Sequence, residues 1–252
     1  MAAKPLHPKH KKQRLDKLLV EKNLVDSKEK ALSYILAGIV FVNEQKISQP
    51  GTLVSEESKI LVKTAPYHWV GRGGVKLDHA IKEFNILVHD KVCMDVGAST
   101  GGFTDCLLYY GAKKVYAIDV GTNQLDWKIR QDKRVVVHEK TNFRYFKKNE
   151  VREDIDIVVI DVSFIGLDKI LPHVINFVHE GSDIIALIKP QFEARKDDVP
   201  RGGVIKDPVI QTKVIEKIKT FCKDLKLKVQ GVIESPIVGA QGNKEYLIYV
   251  KA

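Results

Sequence analysis

The sequence of 252 residues contains few cysteines, and these follow no disulfide or metal-binding pattern. The three thiols, Cys93, Cys106 and Cys222, lack the CxxC spacing of zinc sites and redox motifs. An odd number of cysteines in an otherwise ordinary chain argues against a disulfide framework and favours a reducing compartment. The histidines are scattered, and no group of histidine and cysteine has ligand spacing, so we predict no metal site.

Long apolar runs and a secretory signal are also missing. The longest apolar runs contain about five or six residues, whereas a membrane-spanning helix needs ~18–20. The N-terminus is basic, but no apolar segment follows it as in a signal peptide. We therefore predict a soluble, cytoplasmic protein without a membrane partner.

Basic residues outnumber acidic ones, and the excess is concentrated at one end. The chain has 41 Lys+Arg and 32 Asp+Glu, a net charge of +9 and a pI near 9.2. Residues 1–63 contain 12 Lys+Arg and 7 Asp+Glu, so a quarter of the chain supplies +5 of the +9. This excess favours a polyanionic partner, because Lys and Arg neutralise phosphates. A generally basic surface is the alternative.

Residues 1–63 are predicted to form a small α+β domain that begins with a basic arm at 1–12. A first helix from Arg14 places three leucines on one face, Leu15, Leu18 and Leu19. Asp26 or Ser27 would cap a second helix that ends at Gly38. Its inward residues are predicted to be Ala31, Leu32, Ile35 and Leu36. Strands at 39–42 and 59–62 complete the domain.

This segment resembles an S4 RNA-binding domain. The resemblance lies in residues 14–19, 27–31, 35–38 and 40–43. Glu44 departs from the pattern, because many S4 domains have Asn-Gly in this hairpin turn. The resemblance implies that a basic helix pair docks on structured RNA, largely through backbone and shape contacts. The RNA-binding residues would be Lys11, Lys12, Arg14, Lys17, Lys28 and Lys30. A helical hairpin used for protein contact is the alternative.

Residues 64–70 are predicted to be a linker, and residues 71–252 a second, α/β domain. Its strands are expected at 91–96, 114–119, 134–138, 155–161, 183–189, 226–233 and 245–250. Helical segments such as 209–225 lie between them. The strands from 155 and 183 are nearly all apolar, as in central parallel strands that are buried on both faces. The alternation predicts a doubly wound α/β sheet.

A glycine-rich loop at 95–105 follows the first of these strands and is a candidate cofactor site. In such sheets ligands bind beyond the carboxyl ends of the strands. Asp119, which closes the second strand, would accept hydrogen bonds from ribose hydroxyls. NAD fits poorly, because Ser99 replaces a fingerprint glycine and the Asp95 carboxylate would repel a pyrophosphate. S-adenosylmethionine, with its cationic methionyl group, fits better. The predicted cofactor-binding residues are Asp95, Gly97, Ala98, Ser99, Thr100, Gly101, Gly102, Phe103, Asp119 and Asn142.

Four charged residues are candidates for catalysis. Asp161 and Lys189 each end an apolar strand, Lys76 follows the linker, and Glu245 opens the last strand. Taken singly, each has a structural alternative, since a lysine at a strand end often extends to solvent and an aspartate there often caps a helix.

Together with the glycine-rich loop, this pattern resembles the hemolysin A (TlyA) family of ribosomal RNA methyltransferases over nearly the whole chain. The second domain is similar to FtsJ-type 2′-O-methyltransferases, whose fold is a seven-stranded Rossmann-like sheet. The resemblance places their Lys-Asp-Lys-Glu tetrad on Lys76, Asp161, Lys189 and Glu245. It implies S-adenosylmethionine as cofactor, ribosomal RNA or ribosomal subunits as partner, and a cytidine 2′-hydroxyl in 16S or 23S rRNA as the methyl acceptor. Departures from the family pattern lie at Gly166, Arg195 and Lys196.

A mechanism follows as a hypothesis. A ribose hydroxyl is a poor nucleophile, so a base should remove its proton during methyl transfer. We predict that Lys189 is this base, because burial and the second ammonium group of Lys76 both favour a neutral amine. Asp161 and Glu245 would orient the two amines. The alternatives are a non-catalytic RNA-binding or ribosome-assembly factor and, following the family name, a membrane-lytic hemolysin. A monomer is expected.

Overall fold

The computed structural model describes residues 11–25, 27–36, 38–62, 69–239 and 242–252. The chain divides into two compact units, Met1–His68 and Trp69–Ala252. Residues 1–10 of the predicted arm, the possible cap Asp26, and residues 64–68 of the predicted linker lie outside the described residues. Trp69 and Val70, which we assigned to the linker, pack against the apolar core of the second unit.

The first unit combines two helices with short antiparallel strands. Its elements are β1 (Lys12–Arg14), α1 (Leu15–Glu21), α2 (Lys28–Leu36), β2 (Val40–Val42), β3 (Gln45–Lys46), β4 (Leu53–Ser55) and β5 (Ile60–Val62). Strand β1 pairs with β4, and β2 pairs with both β3 and β5. The leucines of α1 and the apolar face of α2 bury one small core. This α+β arrangement agrees with the predicted S4-like domain.

Two details of the first unit differ from the prediction. Leu36 is 68% exposed, whereas Ala31 and Ile35 are fully buried, so the inward face of α2 is narrower than predicted. The sequence predicts Lys11 and Lys12 in the arm, yet Lys12 lies in β1, where it pairs with Ser55 of β4, and the carbonyl of Lys11 accepts a backbone hydrogen bond. A polar strand of this kind is held by its backbone and has no apolar alternation to reveal it.

The hairpin between β2 and β3 keeps a two-residue turn although it lacks glycine. Asn43 and Glu44 both have positive φ, 48° and 68°. The side chain and backbone of Asn43 both bond to Lys59, which holds the turn in place. Glu44 therefore occupies a conformation that glycine adopts at lower cost.

The second unit is a seven-stranded, doubly wound sheet, as predicted. Its elements are α3 (Gly73–Phe84), β6 (Val92–Val96), α4 (Gly102–Tyr109), β7 (Lys114–Ile118), α5 (Trp127–Arg130), β8 (Val135–His138), β9 (Ile155–Ile160), α6 (Leu171–Val174), β10 (Val178–Ile188), α7 (Pro190–Glu193), α8 (Pro208–Asp224), β11 (Lys228–Glu234) and β12 (Tyr246–Lys251). The strand order is β11-β12-β10-β9-β6-β7-β8, in which β12 runs antiparallel to β10 and β11 and the other neighbouring pairs are parallel.

The topology of this sheet fixes where a site can form. Successive side chains of each central strand enter different apolar clusters, as Met94 and Cys93 do, so both faces of the sheet are covered. The chain runs outward from β6 through β7 to β8 and then crosses to β9 on the other side of β6. The carboxyl ends of β6 and β9 therefore border the switch point of the sheet, where ligands bind in this architecture.

Candidate active site

The four predicted catalytic residues form one continuous series of charged contacts in the structure. Lys76 Nζ donates to Glu245 Oε2 at 2.5 Å and lies 4.0 Å from Asp161 Oδ2. The other oxygen of Asp161 lies 2.6 Å from Lys189 Nζ. The four side chains come from α3, from the segments after β9 and β10, and from the segment just before β12. Residues far apart in the sequence therefore meet at the carboxyl edge of the sheet.

These charged groups are removed from solvent. Lys76, Lys189 and Glu245 are 7%, 8% and 3% exposed, and the side chain of Asp161 is 20% exposed. Burying a charged group is costly unless it is paired, and here two lysine amines are paired with two carboxylates. The arrangement holds two amines in fixed positions beside a partly open carboxylate.

Glycines allow the helices and loops around these four charged residues to approach one another closely. A Cβ on Gly73 would lie 3.1 Å from the ring of Phe103, and one on Gly102 would lie 2.9 Å from the backbone nitrogen of Gly74. Helix α3, which carries Lys76, can therefore pack tightly against α4. A Cβ on Gly239 would overlap the carboxylate of Glu245. A side chain at any of these positions would displace part of the site.

The glycine-rich loop lies beside these residues, between β6 and α4. Gly97, Ser99 and Gly101 have positive φ of 90°, 49° and 93°, which makes a tight turn into the helix. The carboxylate of Asp119 at the end of β7 accepts hydrogen bonds from the backbone N–H groups of Ser99, at 2.8 Å, and Gly121, at 2.6 Å. The loop and the predicted ribose-binding carboxylate are therefore held together.

Asp95 lies fully buried beneath the loop. Its Oδ2 accepts a hydrogen bond from Thr104 Oγ1 at 2.6 Å, while its Oδ1 has no hydrogen-bond partner among the described residues. Burial raises the pKa of Asp95 to about 7, and the negative charge of Asp161 adds to this effect. An unpartnered carboxylate oxygen of this kind suits a cationic ligand, because a nearby positive charge would stabilise the ionised form.

Three predicted cofactor residues use all or part of their side chains within the protein. Phe103 and Ala98 are buried and pack in the apolar core. Asn142 uses its side-chain oxygen to accept a hydrogen bond from the backbone N–H of Arg144 and so caps a short turn. Asn142 nevertheless lies near Asp119, because the N–H of the preceding residue, Thr141, donates to the carbonyl of Asp119. Ser99 and Thr100 are exposed on the loop.

Four residues next to the tetrad were not predicted from the sequence. Ser163 Oγ accepts a hydrogen bond from Lys189 Nζ at 2.9 Å. Phe164 is 90% exposed with φ of 64°, and its ring lies 5.1 Å from that of Phe192. Glu193 is buried and accepts the backbone N–H of Leu167. Their nearness in sequence to Asp161 and Lys189 was the only available signal.

The predicted RNA-binding residues of the first unit are exposed at its surface. Arg14 donates two hydrogen bonds to the buried carboxylate of Asp16, at 3.0 and 2.7 Å, which hold the pKa of Asp16 below its usual value. Lys11 lies 3.5 Å from Glu56. The side chains of Lys12, Lys17 and Lys28 are likewise turned to solvent. Arg14 is thus fixed in orientation by Asp16.

Within the described ranges, no three His, Cys, Asp or Glu side chains are grouped so that they could hold a metal ion. None of the described helices combines the length and apolarity that crossing a membrane requires.

Comparisons with known proteins define the class. A family model described as FtsJ-like methyltransferase matches residues 69–252, and a model of the S4 domain matches residues 13–60. The fold is that of S-adenosylmethionine-dependent methyltransferases. These matches confirm the predicted fold class and its S4 domain.

Individual relatives narrow the class further. The chain is 46% identical over 241 residues to YqxC of Bacillus subtilis, covering 95% of this chain and 86% of that protein. It is 39% identical over 242 residues to the 16S/23S rRNA (cytidine-2′-O)-methyltransferase TlyA of Mycobacterium tuberculosis, covering 96% and 90%. A solved structure of a hemolysin-named protein from Streptococcus thermophilus is 40% identical, with a TM-score of 0.76 and coverage of 96% and 89%. The chain therefore belongs to the TlyA family of FtsJ-like methyltransferases.

Proposed function

We propose that this protein transfers the methyl group of S-adenosylmethionine to the 2′-hydroxyl of a cytidine ribose in ribosomal RNA. The observation that carries the proposal is the continuous arrangement of Glu245, Lys76, Asp161 and Lys189 beside the glycine-rich loop. The name of the TlyA relative, which specifies 16S/23S rRNA and cytidine-2′-O, supports the choice of substrate.

The residues at the loop fit the cofactor. S-adenosylmethionine, when bound, supplies an electrophilic methyl group on a positively charged sulfur. Asp119 would accept hydrogen bonds from its ribose hydroxyls, since a carboxylate oriented by two backbone N–H groups keeps further lone pairs free. The loop at 97–101, in which Ser99 and Thr100 are exposed, would hold the methionyl part, with Asn142 on the adenine side. Phe103 and Ala98, which pack in the apolar core, would maintain the shape of the loop.

Lys189 is the proposed general base. Its Nζ would accept the proton of the 2′-hydroxyl as the ribose oxygen takes the methyl group, which converts the neutral amine to an ammonium group. Asp161 would then stabilise the new positive charge at 2.6 Å. Lys76, held by Glu245, would donate a hydrogen bond that positions the substrate oxygen. The buried site limits competition from water for these hydrogen bonds.

RNA would be engaged at two places. The exposed lysines of the S4 domain would contact phosphates, and the pair of rings formed by Phe164 and Phe192 would receive the base of the target nucleotide. Recognition of single-stranded or extruded bases commonly uses such aromatic faces. All four tetrad residues come from one chain, so we propose that a monomer is sufficient for activity.

The proposal is tested by methyl transfer from labelled S-adenosylmethionine to purified ribosomal subunits and to bare 16S and 23S rRNA. Digestion to nucleosides should place the label on 2′-O-methylcytidine. Label on a base would contradict the proposed reaction. Cofactor binding without labelling of any of these RNAs would favour a non-catalytic assembly factor instead.

A further inference from the structure

Lys189 has two oxygen acceptors, and one of them lies outside the tetrad. Its Nζ is 2.6 Å from Asp161 Oδ1 and 2.9 Å from Ser163 Oγ. A neutral lysine amine carries two N–H bonds and one lone pair, whereas an ammonium group carries three N–H bonds and no lone pair. In the neutral form that a general base requires, two acceptors match the two N–H bonds and leave the lone pair unoccupied.

We propose that Ser163 is a positioning residue that, together with Asp161, fixes both N–H bonds of the neutral Lys189 amine and so directs its lone pair toward the ribose hydroxyl. This inference rests on the proposed function, in which Lys189 is the base. A long lysine side chain that lacked the second acceptor would rotate about its terminal bond and spread the lone pair over several directions. The proton taken from the hydroxyl becomes the third N–H of the ammonium product.

The segment that carries Ser163 is anchored independently of this hydrogen bond. Glu193 Oε1 accepts the backbone N–H of Leu167 at 2.7 Å, and the ring of Phe164 lies 5.1 Å from that of Phe192. Glu193 and Phe192 belong to α7, which begins directly after Lys189. The short helix next to the base thus holds the segment that contributes the second acceptor, and this fixes their separation.

If Ser163 only supported the fold, its replacement would lower the stability of the protein. The residue is exposed at the surface, so removal of its hydroxyl leaves no large cavity, and Lys189 keeps Asp161 as an acceptor. The Ser163→Ala variant should therefore fold as the wild type does. Its defect should appear in the chemical step and leave the binding of either substrate unchanged.

The test is single-turnover methyl transfer to rRNA by the full-length protein, with affinities for S-adenosylmethionine and RNA measured separately. Ser163→Ala should lower the saturated rate by about 10-fold or more, because misalignment of a reacting group has effects of this size. Both affinities should change by less than about 2-fold. Ser163→Thr, which keeps the hydroxyl, should recover most of the rate. Thr220→Ala removes an exposed hydroxyl in α8 and serves as the control.

Three outcomes would overturn the inference. Ser163→Ala could match the wild type, Ser163→Thr could be as impaired as Ser163→Ala, or the loss could lie in RNA affinity with an unchanged saturated rate. Each of these is distinct from failure of the proposed function, in which the wild-type protein itself would transfer no methyl group to rRNA.

Discussion

Glu193 is a buried carboxyl group whose titration should be visible in the stability of the protein. The residue is 5% exposed, and its Oε2 has no hydrogen-bond partner among the described residues. The nearest positive charge, Lys217 Nζ, is 3.8 Å away. Burial raises the pKa of Glu193 from 4.5 to about 7, an effect that the bond from Leu167 N–H only partly offsets. The folded protein therefore retains this proton at a pH where the unfolded chain has lost it.

The direction of the effect follows from this difference. Below about pH 4.5 the group is protonated in both states, and as the pH rises toward about 7 only the unfolded state gains from ionisation. The gap between 4.5 and about 7, at about 1.36 kcal/mol per pH unit, comes to about 3 kcal/mol of stability lost by the wild type. Glutamine does not titrate, and its oxygen can still accept the N–H of Leu167.

Urea unfolding of the full-length protein between about pH 4.5 and about pH 8 measures this effect. Over this range, the free energy of unfolding of Glu193→Gln should rise relative to that of the wild type by up to about 3 kcal/mol. Glu180→Gln removes an exposed carboxyl group and controls for the general loss of surface charge. A difference between wild type and Glu193→Gln that stays constant with pH would refute the reasoning.

Three further predictions concern the tetrad, the aromatic pair and the S4 hairpin. Lys76→Met should destabilise the protein by about 3–5 kcal/mol, because it leaves Glu245 buried without its ion pair. Chemical denaturation measures this loss, and the double variant with Glu245→Gln should recover part of it. Phe164→Ala should raise the KM for RNA. Because the ring is exposed, the free energy of unfolding should change by no more than about 0.5 kcal/mol. An unchanged KM would contradict a role of this ring in RNA binding. Glu44→Gly should stabilise the protein by about 0.5–1 kcal/mol in thermal unfolding, because glycine adopts positive φ without strain; a lower melting temperature would contradict this.

Much of the second unit was predictable because its strands are marked by apolar runs. The predicted strand at 155–161 corresponds to β9 at Ile155–Ile160, and that at 114–119 to β7 at Lys114–Ile118. Strand β10 begins at Val178, well before residue 183, because its first half is polar and bulged and so lacks the apolar signal. The same reasoning explains why β1, with the sequence Lys-Gln-Arg, escaped prediction.

The site was predictable only in part. Apolar strands point to Asp161 and Lys189 at their ends, but Lys76 and Glu245 gain meaning from family resemblance and from the distances that the fold creates. The hydrogen bond between Ser163 and Lys189 depends on the path of a short turn, in which Phe164 has positive φ. A phenylalanine rarely takes this conformation, so no sequence pattern signals it.

The most direct test of the proposed reaction compares wild type with Lys189→Met in methyl transfer to rRNA, with S-adenosylmethionine binding measured in parallel. Lys223→Met, at an exposed lysine of α8, serves as the control. Wild type and control should both yield 2′-O-methylcytidine. Lys189→Met should be slower by about 10²–10⁴-fold, with the cofactor still bound. Methyl transfer by Lys189→Met at the wild-type rate would contradict the assignment of Lys189 as the base.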